Sequence, residues 1–147
     1  MHTWFECKVK YIKIDENSGR EKKVSEPYLV DAVSFTEAEN RIYQELEQMI
    51  RGEFQVTNIR KANYSDIFPF ENSDRWFKCK VSYVSVDEGS GKEKKISNQM
   101  LVMGDDLKEA YDNLMASLEG MTIDFDVLGI NESPIMDVFP YFNEEQS

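Results

Sequence analysis

Histidine occurs once in the 147 residues, as His2, and cysteine twice, as Cys7 and Cys79. A lone histidine beside Met1 excludes a Ser/His or Cys/His pair with a positioned base, and it excludes a histidine-built metal site. Two cysteines are too few for a disulfide scaffold. No apolar run approaches the roughly 20 residues that would span a bilayer. The opening residues carry charges where a signal peptide needs an apolar run, and neither end carries a lipidation signal. Neither a GxGxxG fingerprint nor a P-loop occurs, so nucleotide phosphate binding has no support. These absences lead to the expectation of a cytoplasmic protein with no membrane association, no metal and no cofactor.

What is present suits one globular domain with a sizeable core: 41% hydrophobic and 31% charged residues. The net charge of −11 is unevenly spread. Residues 105–147 hold one basic and eleven acidic groups, whereas residues 76–104 hold five basic and three acidic. The total argues against general affinity for nucleic acid.

The chain repeats itself. Shifted by 72, Trp4, Phe5, Cys7, Lys8, Val9 and Tyr11 meet Trp76, Phe77, Cys79, Lys80, Val81 and Tyr83, and identities continue to Val30 and Val102. Beyond a one-residue deletion near Arg51 and Gly52 the shift becomes 71, and Phe54, Val56, Ile59, Asp66, Phe68 and Pro69 meet Phe125, Val127, Ile130, Asp137, Phe139 and Pro140. A tandem duplication of a unit of about 70 residues explains this.

Each unit opens with period-two alternation, Phe5, Cys7, Val9 and Tyr11 against Glu6, Lys8 and Lys10, which predicts a strand. DENSGREK and DEGSGKEK supply turn residues for a hairpin, and a second strand returns through Val24–Ala32 and Ile96–Gly104. Pro27 cannot donate to a ladder and predicts an edge or a bulge there. Ser34-Phe-Thr-Glu37 and Asp106-Leu-Lys-Glu109 have capping-box spacing and predict helix starts. Their buried stripes read Phe35, Ala38, Ile42, Leu46 and Met49, then Leu107, Ala110, Leu114, Leu118 and Met121. A third strand, Phe54-x-Val56-x-x-Ile59 and its copy, leads to the aromatic-proline ends. The expectation is an α+β fold of two tandem ββαβ repeats with pseudo-two-fold symmetry, residues 1–72 and 73–147, forming one compact globular unit. In it two helices cover antiparallel sheet, with Glu71–Arg75 as the joint.

The phrases Trp-Phe-x-Cys-Lys-Val, Pro-Tyr-Leu-Val-Asp-Ala, Ser-Phe-Thr-Glu-Ala-Glu and Ala-Asn-Tyr-Ser-Asp-Ile resemble an uncharacterised family of short, acidic bacterial and phage proteins. That family is classed only as a domain of unknown function. The resemblance covers nearly the whole chain and implies no activity and no site residue.

Candidate sites are weighed against plainer roles. The two cysteines read as buried small hydrophobes, against a redox or metal pair. Asp15–Gly19 reads as a hairpin turn, against a calcium loop whose glycine is displaced and whose closing Glu is missing from the second copy. Lys8, Lys10, Lys78 and Lys80 beside Trp4 and Trp76 read as a solvated face that discourages edge aggregation, against a single-strand nucleic-acid surface. Phe68-Pro-Phe70 and Phe139-Pro-Tyr141-Phe142 read as cover for the outer sheet face, against a docking patch. The acidic last third reads as solubility charge, against mimicry of nucleic-acid phosphates.

The functional expectation is a non-enzymatic binding or adaptor protein. Its contacts would be Trp4, Lys8, Lys10, Trp76, Lys78 and Lys80 on the outer sheet face with Phe70 and Tyr141. The partner would be a protein, a second copy included. Nucleic acid at the Lys/Trp hairpin face is the alternative.

Overall fold

The computed structural model describes residues 3–141. In chain order the elements are β1 (Thr3–Ile14), β2 (Glu21–Ala32), α1 (Phe35–Glu47), β3 (Phe54–Ala62), β4 (Tyr64–Phe68), β5 (Arg75–Val86), β6 (Glu93–Gly104), α2 (Leu107–Ser117), β7 (Phe125–Ser133) and β8 (Val138–Phe139). Its class is mixed α+β, with two four-stranded sheets and two helices. Contacts gather the chain into two compact units: Met1–Ala62 with Pro134–Ser147, and Asn63–Ser133. Both crossing points differ from the repeat boundary read from the sequence, and Glu71–Arg75 lies inside the second unit.

The first unit's sheet runs β3-β1-β2-β8 and the second unit's runs β4-β6-β5-β7. In each, the long hairpin and the third strand pair antiparallel as the alternation dictates. The fourth strand corrects the expectation of all-antiparallel sheet. β8 pairs parallel with β2 through Leu29 and Val30, and β4 pairs parallel with β6. β4 follows β3 in the chain yet pairs in the sheet of the second unit, and β8 follows β7 yet pairs in the sheet of the first.

Pro27 sits opposite Lys8 in β2, with strands on both sides of β2. Its carbonyl accepts from the Met136 N–H at 2.9 Å, so its hydrogen-bonding side faces away from β1. The missing N–H therefore costs the β1–β2 ladder nothing.

The hairpin turns are built alike. Gly19 and Gly91 take φ of 70° and 72°, a conformation that favours glycine, and each N–H donates to the carbonyl of Asp15 or Asp87 at 2.7 Å. The Asp15 and Asp87 carboxylates accept from the amides of Asn17 and Gly89, which holds both below the usual carboxylate range.

Both helices start where the caps predict. Ser34 Oγ accepts from Glu37 N at 3.1 Å and Asp106 Oδ1 from Glu109 N at 2.8 Å. The returning glutamates reach one residue further than a standard box, to Val33 N and Asp105 N. Ala38, Ile42 and Leu46 are buried in the first unit, and Ala110, Leu114 and Leu118 in the second. Phe35, Met49 and Leu107, expected in the stripes, are exposed: Phe35 and Leu107 are the first residues of their helices, and Met49 lies beyond the end of α1. Phe35 still meets Phe5 edge-on, ring centroids 4.9 Å apart.

Two separate clusters form the helix-side cores. Phe5, Cys7, Val9, Tyr28 and Val30 pack under α1, and Phe77, Cys79, Val81, Met100 and Val102 pack under α2. On the opposite sheet faces Leu29 and Leu101 are fully buried, while Ile12, Ile14, Val84 and Val86 near the hairpin tips are exposed.

Candidate functional site

Lys8, Lys10, Lys78 and Lys80 are all exposed, on the sheet faces away from the helices. They lie on β1 and β5, which have a strand on either side, so they guard no edge. The tryptophans part company: Trp4 is half-buried, whereas Trp76 is only 4% exposed and is a packing residue. The terminal aromatics do not cover the outer sheet faces. Phe68 and Phe70 pack against the helix-side cluster of the second unit, and Phe139 packs against that of the first, stacked on Tyr28 at 6.1 Å. Tyr141 is 41% exposed, with the Arg41 guanidinium 5.3 Å from its ring centroid. The expected site residues are thus divided between the units. Phe142 and His2 lie outside the described residues.

An apolar concavity lies elsewhere, within the second unit, and of its lining residues only Asp124 and Asp126 belong to a candidate site read from the sequence, as part of the acidic last third. α2 buries Ala110 and Leu114, and the adjacent stripe Leu107, Tyr111 and Met115 is 55%, 44% and 37% exposed. This second stripe has i, i+4, i+8 spacing and lies along one helix flank. Across from it stand Met121, Ile123, Phe125 and Val127, enclosing an open groove of about 1010 Å³. Lys108, Asp124 and Asp126 are its charged lining.

The first unit fills the same place with its own side chains. Tyr43 stacks on Phe54, centroids 5.1 Å apart and planes 28° apart, and its hydroxyl accepts from Val56 N at 3.4 Å. The repeat aligns Tyr43 with Met115 and Phe54 with Phe125. A flexible thioether side chain stands where the first unit has a ring, and Tyr111 stands where it has Glu39. The signal was legible in principle, because comparison of the repeats exposes both differences.

Other chemistry in the described residues is muted. Cys7 and Cys79 are free and fully buried. Burial, with Glu6 and Glu39 nearby, lifts the Cys7 thiol from its ordinary 9.0 to about 12, and burial lifts Cys79 to about 11. Such thiols are protonated and unreactive at neutral pH. The Tyr11 and Tyr28 hydroxyls share the Glu26 carboxylate, and burial with that charge raises both. Among the described residues no three His, Cys, Asp or Glu side chains gather as metal ligands. No helix among them is long and apolar enough to cross a membrane.

A search of curated proteins finds no match to the chain. The profile of the family described as Domain of unknown function (DUF4494) matches residues 3–141, nearly the whole length. The chain therefore belongs to that family.

Proposed function

We propose that the protein is a non-enzymatic binding protein whose partner docks in the groove between α2 and β7. One observation carries this: the corner closed by Tyr43 on Phe54 in the first unit is open in the second and lined by Leu107, Tyr111, Met115 and Ile123. Contiguous exposed apolar surface of this kind is costly to leave in water and commonly marks a contact site. The tandem ββαβ duplication with pseudo-two-fold symmetry belongs to this reading as its origin: one copy keeps the corner as core and the other has turned it into a surface. Free, buried thiols support a reducing, cytoplasmic setting. A bacterial or phage origin rests on the family resemblance alone.

Nile red, a neutral apolar dye, tests the reading. The wild type should enhance its fluorescence, Met115→Tyr should reduce the signal, and Tyr43→Met should add a second site. An unchanged signal in a folded Met115→Tyr variant overturns the groove as a docking site.

The nucleic-acid alternative keeps its exposed lysines, but with Trp76 inside the protein it loses half of its stacking platform. Failure of a labelled single-stranded oligonucleotide to bind at low salt would end it.

A further inference from the structure

We propose, resting on the docking reading, that the occupant of the α2–β7 groove is an amphipathic helix of another protein, with apolar anchors flanked by Lys or Arg. Three observations lead there.

The first is the groove's material. Its walls are large aliphatic, thioether and aromatic groups with two methionines, Met115 and Met121, which repack around an inserted apolar ridge. A helix with anchors at i, i+3 or i+4 and i+7 presents such a ridge.

The second is the sheet margin beside the groove. β7 has a strand on one side only, which leaves an edge of the kind an extended peptide adds to. Its register against β5, however, shifts between Lys80 and Val81, passing from Gly129 to Val127 and leaving Leu128 as a bulge. A bulge in the middle of a nine-residue strand breaks any added ladder into short pieces. Strand addition is therefore blocked where side-chain docking is not.

The third is charge. Asp124 and Asp126 line the groove and Asp112 is exposed on α2, against a single lysine, Lys108. β7 carries Asp126 and Glu132 and no cation, whereas β3, its counterpart, carries Arg60 and Lys61 and no acid. The second unit's groove thus favours a basic partner and repels an acidic one.

Three labelled probes about four helical turns long test this by fluorescence anisotropy. One is a Leu/Lys peptide with helical spacing, one has the same composition in strict alternation, and one is a Leu/Glu peptide with helical spacing. The helical Leu/Lys probe should bind best, and Met115→Tyr should weaken it roughly tenfold. Asp124→Asn with Asp126→Asn should weaken it roughly threefold, and added salt should erase that difference. Equal binding of the Leu/Glu probe, preference for the alternating probe, or indifference to Met115→Tyr would each overturn the proposal. So would a dimer of the protein that Met115→Tyr dissociates, since the occupant would then be a second copy. If Nile red reports the groove and the helical probe does not bind, this inference falls while the docking reading stands. If neither binds, both fall.

Discussion

The corner where helix meets third strand is built twice from the same parts and finished differently. In the first unit Tyr43 lies flat on Phe54 and caps the core, and in the second Met115 leaves Phe125 facing an open groove. Beneath the corner the units agree closely, down to bulges at matching places, between Lys8 and Val9 and between Lys80 and Val81. A packed interior constrains both copies to one solution, because each core position contacts several others at once. A flank residue on a helix has fewer partners, so it is free to change. On the proposed duplication, divergence at such positions marks where the second unit has room for a docking role.

The comparison breaks most visibly in the cores. Ile42→Ala and Leu114→Ala remove equivalent, fully buried side chains, and each should cost about 2–5 kcal/mol in urea unfolding. A gap of more than about 2 kcal/mol between them would show that the two cores are not equivalent.

The exit from each second strand offers a sharper contrast. Ala32 is buried in the first unit, whereas Gly104 stands in its place in the second, where an added Cβ would come within 2.6 Å of the Ala110 backbone nitrogen. Gly104→Ala should therefore destabilise by about 1–3 kcal/mol. Ala32→Gly should cost about 0.5–1 kcal/mol, mainly through chain entropy. Unfolding curves in which Gly104→Ala is harmless would mean that α2 does not approach β6 that closely.

Smaller effects are expected at the caps. Ser34→Ala and Asp106→Ala should each cost about 1 kcal/mol. The Asp106 effect should be larger at low salt and approach that of Ser34 at high salt, because only Asp106 adds a charge at the helix N-terminus. An unchanged difference across ionic strength would remove the dipole contribution.

The smallest effect at neutral pH belongs to the thiols. Their folded pKa values lie above the ordinary 9.0, so the fold favours the neutral form, and its contribution is complete below about 9. Stability should fall as pH rises from about 9 through about 11 for Cys79 and about 12 for Cys7. Cys7→Ser and Cys79→Ser variants should flatten that fall, and the native wild type should react slowly with a thiol reagent at neutral pH.

Much of the architecture was legible because it is local. Alternation from Phe5 to Tyr11 marks β1, Asp15 to Gly19 marks the turn, and Ser34 with Glu37 marks the helix start. The interval Val56-x-x-Ile59 even carries the bulge, since one extra residue is what restores Ile59 to the core face. The partners of β4 and β8 were not legible. Strands of two to five residues, each ending just before a proline, have no clear period, and their pairing is decided by chain passage over long separations. The unequal fates of Trp4 and Trp76 were hidden too, because identical words in a strand say nothing about what lies over them. The groove was missed for a different reason: Leu107 and Met121 were assigned to the buried stripe, and the flank beside it was left unread.

The exchange of last strands has a consequence for how the molecule is made. The second unit is one continuous stretch, Asn63–Ser133, whereas the first needs β8 to finish its sheet beside β2. During synthesis the first unit begins first and ends last: its hairpin, helix and third strand emerge early, but Leu29 and Val30 wait for Val138 and Phe139. The later-made unit can close while the earlier one is still open on one side. A released chain that ended after β7 would hold one complete sheet and one lacking its last strand, which makes the open side of β2 in the first unit the place most exposed to misassociation.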